Sequence, residues 1–446
     1  MELYLGITVP LLTVICYFWF YLLAKEPAKR DKDGNIMDPV GGNRLKNGIA
    51  FGMASIAKLK EQAKFESETL KEVESFHKPE NHPFFNESHY YNGADRHNQD
   101  RIITRISRRG GGGKKSFIFL LLDLEKYGIF ALEEDDVPVD LTVDNPSGLG
   151  LSFECIEPMK KWRLKYKGEL RKGCVKPSVL KEGKEKFETA HVEFDLLYET
   201  DTPLFWYMRD DCAETLAKNL SQEPWGVNFW KVCLKRSNNH GHYEEYGRLT
   251  GTISVNGEKT KNYNMGTFRD HSWDIRVWGA MDSLFILLIA FDEPINLFGV
   301  DCYYLDLTLV NMPGNTSGVA RYSTGYLLGK NKGEIFSMAY GTSILDIPYR
   351  TRDDGTREPM ATSEVVMYLV PEPNHDHAEA VPVRIKMDGD IRRMQYWPDN
   401  GAFEVFEDSM NFQIIDEKHN KTVEGYGTRQ SGFRIGEFDT SQGGCG

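Results

Sequence analysis

The pattern of apolar and polar residues changes character at about residue 84. Before that point Ile56, Leu59, Ala63, Leu70 and Val73 recur at helical spacing. They predict an amphipathic helix over 54–76 that packs against the body and breaks at Pro79 and Pro83. Beyond it the period shortens to two. Arg101–Ser107 and Ser116–Leu122 alternate or run apolar on either side of Gly110–Gly113, the pattern of a long hairpin. Further strands are predicted at Leu149–Cys155, Lys161–Tyr166, His191–Leu197, Arg248–Val255, Phe268–Trp278, Leu284–Phe291, Tyr303–Val310 and Ala320–Leu328. Val365–Val370, Val383–Met387, Ala402–Phe406 and Gln413–Ile415 complete the series. Asn256-Gly257, Asp354-Gly355 and Asp388-Gly389 punctuate it as turns. Only Cys212–Leu220 reads as a helix in this region. Many short strands with regular turns predict a mainly β protein, with more strands than one barrel uses.

The N-terminus departs from this pattern. Tyr4–Ala24 carries no charge, and at ~1.5 Å per residue such a run spans about 30 Å, the hydrocarbon thickness of a bilayer. A cleaved signal peptide is the alternative, but the start Met1-Glu2-Leu3 lacks a basic residue and no small-x-small site precedes Lys25. A retained single transmembrane helix is therefore expected. Lys25, Lys29, Arg30 and Lys32 follow the run and no basic residue precedes it. The expectation is a single-pass protein of the endoplasmic reticulum whose body faces the cytosol. Seven scattered cysteines form neither a disulfide framework nor CxxC metal spacing. The sequons at Asn86, Asn219, Asn315 and Asn420 pull weakly towards the lumen. A net charge of −12 argues against a nucleic-acid partner, which needs a concentrated basic surface.

Residues 266–279 concentrate the candidate chemistry. Arg269, Asp270, His271, Ser272 and Trp273 place a cation, a carboxylate, an imidazole, a hydroxyl and an indole in consecutive positions on a strand. The run marks either a pocket or an ion pair that closes the end of a barrel. Strand alternation puts Arg269, His271 and Trp273 on one face, the more apolar and therefore inner one. Asp270, Ser272, Arg276 and Trp278 fall on the other, where Asp270 and Arg276 read as an outward ion pair. The same alternation, carried back from Leu249, Ile253 and Val255, turns Tyr243 and Glu245 inward and Glu244 outward. A bulge at Gly247 would reverse that assignment. His240 and His242 share a face, but no third ligand stands at convincing spacing, so no metal is expected.

Nucleotide and hydrolase signatures are absent: there is no GxGxxG, Walker loop, HExxH or GxSxG elbow. No cofactor is expected. Chemistry would fall to carboxyl and imidazole groups whose pKa values burial moves towards neutrality. Aromatic side chains, 12% of the chain, suit either a lipophilic ligand or a plain barrel core.

Phe85-Asn-Glu-Ser-His-Tyr-Tyr91, Arg101–Arg109 and Glu157–Leu164 resemble the first half of a lipocalin-like domain pair. That pair is related to the carotenoid hydratase (hydroxyneurosporene synthase) and AttH group. His242-Tyr-Glu-Glu-Tyr-Gly247, Arg269-Asp-His-Ser-Trp273 and Arg276-Val-Trp278 resemble its second half. The resemblance covers residues 84–435 and implies two successive calycin-type barrels with a ligand cavity. It implies addition of water to an isoprenoid double bond without a cofactor. By this route Glu244, Asp270, His271 and Trp273 become the site, whereas alternation selects Glu245. Asp274 stands where the glycine usually follows the motif's tryptophan. The pair also occurs fused to a phosphoenolpyruvate-synthase-like phosphotransferase. That part is missing from this chain, which makes a separate phosphotransferase-like protein an expected partner.

The expected organisation is an anchor and basic flank over 1–30 and a linker with the helix over 31–83. A first barrel follows over 84–240 and a second over 241–446. The expected function is a membrane-anchored hydratase, isomerase or cyclase acting on a lipophilic, isoprenoid or lipid, substrate by acid–base chemistry. His271, Asp270, Glu244 and Glu245 are its candidate acids and bases. Trp273, Tyr243, Arg269, Arg276 and Trp278 are its candidate substrate contacts. A non-catalytic carrier of a hydrophobic small molecule and an anchored scaffold are the alternatives.

Overall fold

The computed structural model describes residues 12–16, 29–30, 36–38 and 43–436, apart from 79–81, 98, 111–114, 139–144, 183–185, 224, 227–229, 231–239, 276–280, 298, 312–321, 332–333, 341–348, 362, 372–380, 399–401 and 417–418. Two helices come first, α1 (Arg44–Ser67) and α2 (Leu70–Glu74). The single helix expected over 54–76 is divided because Thr69 opens a second one. The Thr69 side chain accepts from Glu72 N, and Glu72 reaches back to Thr69 N, a complete capping box. Burial also departs from the periodicity. Ile56 and Leu59 are exposed, and α1 packs through Ala50 and Ala54 against Leu216 and Ala217 of α3 (Ala213–Gln222). Small residues let the two helices approach closely.

The first sheet contains β1 (Phe85–Ala94), β2 (Arg101–Arg109), β3 (Lys115–Leu124), β4 (Gly128–Pro138), β5 (Leu151–Glu157), β6 (Lys161–Lys172), β7 (Thr189–Thr200), β8 (Gly241–Val255) and β9 (Glu258–Ile275). Hydrogen-bonded neighbours run β7-β8-β9-β1-β2-β3-β4-β6, and β6 pairs with β7 over its length, so the pairings return to their start. The second unit is a closed antiparallel barrel of eight strands taken in chain order. These are β10 (Ser283–Leu297), β11 (Val300–Asn311), β12 (Tyr322–Leu328), β13 (Ile335–Tyr340), β14 (Ser363–Pro371), β15 (Val381–Tyr396), β16 (Phe403–Asp416) and β17 (Lys421–Arg434). Asn256 and Gly257, with φ of 50° and 81°, form the two-residue hairpin turn between β8 and β9. Asp388-Gly389 is not a chain reversal. It lies inside β15, where the register shifts between Asp388 and Arg392.

The boundary expected at residue 240 does not coincide with the sheets. β8 and β9 pair with β7 and β1, so the Arg269–Trp273 motif belongs to the first sheet and the closed barrel begins at Ser283. Both interiors are packed. Phe285, Leu287, Leu305, Met367, Val383 and Ile414 are among the side chains filling the closed barrel. Tyr91, Leu120, Phe153, Trp162, Leu164 and Leu249 pack inside the first sheet. A third apolar cluster, including Phe119, Phe268, Leu288, Tyr304 and Tyr396, joins the outer faces of the two units.

The membrane anchor is corrected. Among the described residues no helix is long and apolar enough to cross a membrane. Of the run Tyr4–Ala24 only 12–16 is described, as helix, and the remainder lies outside the described residues. The single-pass localisation, with its membrane contact, falls with it.

Candidate functional site

β8, β9 and β1 lie side by side, and their register sorts the candidate residues onto two faces. Glu245 pairs with Arg269 and Arg269 with Tyr91; Tyr243 pairs with His271 and His271 with His89; Trp273 pairs with Glu87. These rows turn inward. Glu244 pairs with Asp270 and Asp270 with Tyr90, and His242 pairs with Ser272. These rows turn towards the second barrel. No bulge intervenes at Gly247, so Glu245 faces inward and Glu244 outward, as alternation requires.

The inward set is a buried ionic network. Arg269, fully buried, donates from Nη1 to Glu245 Oε2 at 2.8 Å and to Glu74 Oε1 at 3.2 Å, and pairs with Glu74 again through Nη2. Tyr243 donates to Glu74 at 2.7 Å, and its hydroxyl lies 3.2 Å from His271 Nδ1. Glu87 accepts from the His77 backbone and ring at 2.7 and 2.8 Å and from Arg108 at 2.7 Å. Burial, with the Glu74 charge, pushes the Glu245 carboxyl up to about 7 against the pull of Arg269. Burial, reinforced by the charge at His89, holds the His271 imidazole well below its ordinary range. Arg269, Tyr243 and Trp273, expected to touch substrate, are thus tied into this interior. The short strand Phe205–Trp206 pairs alongside Glu244 and Tyr243, and Trp206 stacks on Tyr243 at 5.7 Å.

The outward set lines a cavity of about 360 Å³ between the two units. His242 Nε2 lies 3.1 Å from Glu244 Oε1 and closer still to Asp270 Oδ2. Tyr207 stacks on the His242 ring at 4.0 Å, almost parallel, and donates to Glu244 Oε1 at 2.8 Å. Tyr326, on β12 of the second barrel, donates to the other Glu244 oxygen. Asp270 also accepts from Ser272 at 3.1 Å. Burial alone would lower the His242 pKa, but the charge and hydrogen bond of Asp270, with Glu244, raise it to about 9. The cluster therefore holds His242 as an imidazolium at neutral pH, placed between Asp270 and Glu244. Asp306 on β11 is fully buried nearby, and burial together with the Glu244 charge pushes its carboxyl well above the ordinary range.

Phe268, Met281, Leu284, Ile286, Leu288 and Val310 give the cavity apolar walls. Its far side is polar again. Gln430 donates to Tyr396 at 3.2 Å and to Glu407 at 2.5 Å, and Tyr90 donates to Glu407 at 3.5 Å. Burial raises the Glu407 carboxyl to about 7 against the hydrogen bond from Gln430 and the charge of Arg101. A second cavity of about 330 Å³ lies under α1 and α3 and shares Tyr207, His242 and Tyr322 with the first. The His242–Tyr207 stack therefore stands between the two spaces.

Of the four expected acids and bases, the structure brings Glu244 and Asp270 together at a cavity and places Glu245 and His271 behind the sheet. Asp270 faces His242, while Arg276 and Trp278 lie outside the described residues, as does the ion pair expected between Asp270 and Arg276. Sequence reasoning missed His242 as a partner of these carboxylates because Asp270 reaches it from the next strand, although Glu244 stands two residues along its own strand. Tyr207 and Tyr326 come from more distant segments still, and no local pattern marks them. The pair expected from His240 and His242 is not completed, since His240 pairs with Glu61, but other donors gather at His242. His242, Glu244 and Asp270 converge within 4.8 Å, as do Glu74 with His89 and His271, and His77 with Glu87 and His271.

Two solved structures resemble the chain distantly. "Crystal structure of CghA with Sch210972" matches at 9% identity over 79% of this chain and 89% of that chain, with a TM-score of 0.39. "Crystal structure of CghA" matches at 10% identity over the same shares, with a TM-score of 0.38. No curated protein matches the chain. The family described as "Domain of unknown function (DUF7064)" matches residues 71–334. That is more than half of the 446 residues, and the chain belongs to this family.

Proposed function

We propose that the chain is an enzyme of hydratase, isomerase or cyclase type that holds a lipophilic small molecule between its two β units and converts it by side-chain acid–base chemistry. One observation carries this reading. The half-buried His242 ring, flanked by Asp270 and Glu244 and covered by the Tyr207 ring, opens onto a cavity with apolar walls and a polar far side. Cavities of this size and lining suit small molecules with a few fixed polar contacts. The ring-closed pairings of the first sheet and the eight-stranded second unit support reading each as a lipocalin-like barrel.

In this reading His242 is the acid. Its proton is delivered to an alkene carbon or carbonyl oxygen of the bound molecule, and Glu244, hydrogen-bonded by Tyr207 and Tyr326, stabilises the positive charge that develops or recovers a proton. Asp270 orients the ring and keeps it charged. Water or an internal nucleophile completes the reaction.

The test is extraction of the ligand that co-purifies with the chain, identified by mass spectrometry, for the wild type and for His242→Gln and Glu244→Gln. The expected result is product with the wild type and unreacted substrate with each variant, because a positioned acid or base supplies roughly 10²–10⁴ in rate. The same molecule recovered unchanged from all three would make the protein a carrier and overturn the enzymatic reading.

A further inference from the structure

The inner face of the same strands contains a second cluster that the proposed chemistry does not use. His77 follows α2, Glu87 lies on β1 and His271 on β9, and one ligand atom from each falls within 4.8 Å of the others. Glu87 and His271 are fully buried, and His77 is 14% exposed at the edge of the chamber.

Two observations separate this cluster from an ordinary buried ion pair. The first is unmade hydrogen bonds. His271 Nε2 and His77 Nε2 have no hydrogen-bond partner, and neither ring nitrogen of the buried His89, stacked on His271 at 3.9 Å, has one. Buried polar atoms are rarely left so, and an imidazole that serves as a structural spacer spends its nitrogens on hydrogen bonds. The second is spacing. His271 Nε2 lies 3.4 Å from Glu87 Oε1 without the alignment of a hydrogen bond. Two donor atoms bound at about 2.0–2.1 Å to one tetrahedral ion stand about 3.3 Å apart. The His77 and His271 rings, 5.8 Å between centroids and tilted by 37°, are far enough apart for both to point at one ion.

We infer that His77, Glu87 and His271 form a binding site for a first-row divalent cation, Zn²⁺ foremost. Two imidazoles and a carboxylate suit such ions and leave a further coordination position open. The surroundings fit the ligand set. Arg108 occupies only Oε2 of Glu87, and Oε1 faces the histidines, where it now accepts from the His77 backbone and Nδ1. Trp273 stacks on the His77 ring at 3.7 Å and fixes its plane. Three carboxylates, Glu74, Glu87 and Glu245, face two guanidiniums, Arg108 and Arg269, so a cation meets a site with negative charge in excess when all are ionised. The site lies behind the sheet from the cavity, so the cation holds the α2 segment onto the barrel instead of meeting the substrate.

The experiment uses the full chain purified without a metal-affinity tag, stripped with a chelator and exposed to Zn²⁺ or Co²⁺. The expected result is one cation per chain after gel filtration, a visible Co²⁺ spectrum of low symmetry, and a higher melting temperature with Zn²⁺. His77→Ala and Glu87→Gln are each expected to weaken binding by more than the roughly 10–100-fold that loss of an outer partner costs. His77 is at the edge of the chamber, so His77→Ala keeps the fold, as circular dichroism will check. X-ray absorption on the wild type needs no variant and is expected to detect imidazole ligands. Failure to retain a cation, unchanged affinity in folded His77→Ala, oxygen-only coordination, or loss of binding on His242→Ala alone would each overturn the assignment.

Discussion

Replacing Arg269 by Met tests the electrostatics of the first sheet. Arg269 is fully buried and is the cation between Glu74 and Glu245, each 2% exposed. Met keeps much of the volume and removes the charge, leaving two buried carboxylates facing each other. Breaking a buried pair in this way costs about 3–5 kcal/mol, because the remaining charge is uncompensated. The pH dependence identifies the cause. Glu245 is already raised to about 7, first by burial and then by Glu74, with Arg269 opposing. A carboxyl whose folded pKa exceeds its unfolded value of 4.5 binds more protons in the native state, so its contribution to stability falls as pH rises from 4.5 to about 7. Without Arg269 the folded pKa climbs further and the fall continues to higher pH. Urea unfolding at pH 5 and pH 8 should therefore find the variant close to the wild type in acid and several kcal/mol weaker in base. An equal loss at both pH values would assign the effect to packing alone and refute the electrostatic account.

Two further outcomes concern the outer face, and a third concerns the seam between β7 and β8. His242, raised to about 9, contributes stability that is complete below its unfolded pKa of 6.5 and is lost as pH rises through 9; nitrogen-15 NMR should find an imidazolium at pH 8 in the wild type and a neutral ring in Asp270→Asn, and a neutral ring in both would contradict the assignment. Tyr326→Phe removes a donor from the buried Glu244 and should cost about 1–3 kcal/mol by denaturant unfolding, with turnover falling as well; unchanged stability would mean that Tyr207 alone satisfies the carboxylate. Gly247→Ala would drive a Cβ into the backbone of Glu199 and Thr200, where β7 pairs with β8. It should lower the melting temperature by several degrees for the ~1–3 kcal/mol that overpacking costs, and a melting temperature matching the wild type would show that the strand pair can part there.

Much of the fold can be read from the chain because period-two patterning depends only on which face meets a core. The paired strands Arg101–Arg109 and Lys115–Leu124, the Asn256-Gly257 turn and the helix Ala213–Gln222 all follow from local residues. Gly128–Pro138, Ile335–Tyr340 and Lys421–Arg434 are strands that the pattern does not predict. Lys421–Arg434 lacks an apolar rhythm because its buried positions include Ser431 and also Thr428, Arg429 and Gln430, whose partners lie on the neighbouring strand and on the other unit. The buried stripe expected of the helix over 54–76 fails for the opposite reason. Its apolar rhythm is real, but α1 buries alanines and leaves Ile56 and Leu59 to solvent. Hydrophobic spacing names a stripe, and only the tertiary partner decides which stripe is covered.

The contest between Glu244 and Glu245 has the same root. Alternation assigns Glu245 to the interior, and the structure places it there, against Arg269. The step from interior to site assumes that a barrel keeps its ligand space inside. Here the inner space is taken by Trp162, Tyr91, Trp273 and the Arg269 network, while the outer face of β8 and β9 is covered by a second barrel. Outward on one sheet then means inward between two. Glu244, 4% exposed, is as much a buried carboxylate as Glu245, 2% exposed, but it borders a cavity and draws one of its hydrogen bonds from Tyr326 on the opposite unit. A two-unit β protein thus offers two buried faces per strand. Where the second unit supplies the cover, the chemistry belongs to residues that strand alternation in the first unit reads as solvent-facing.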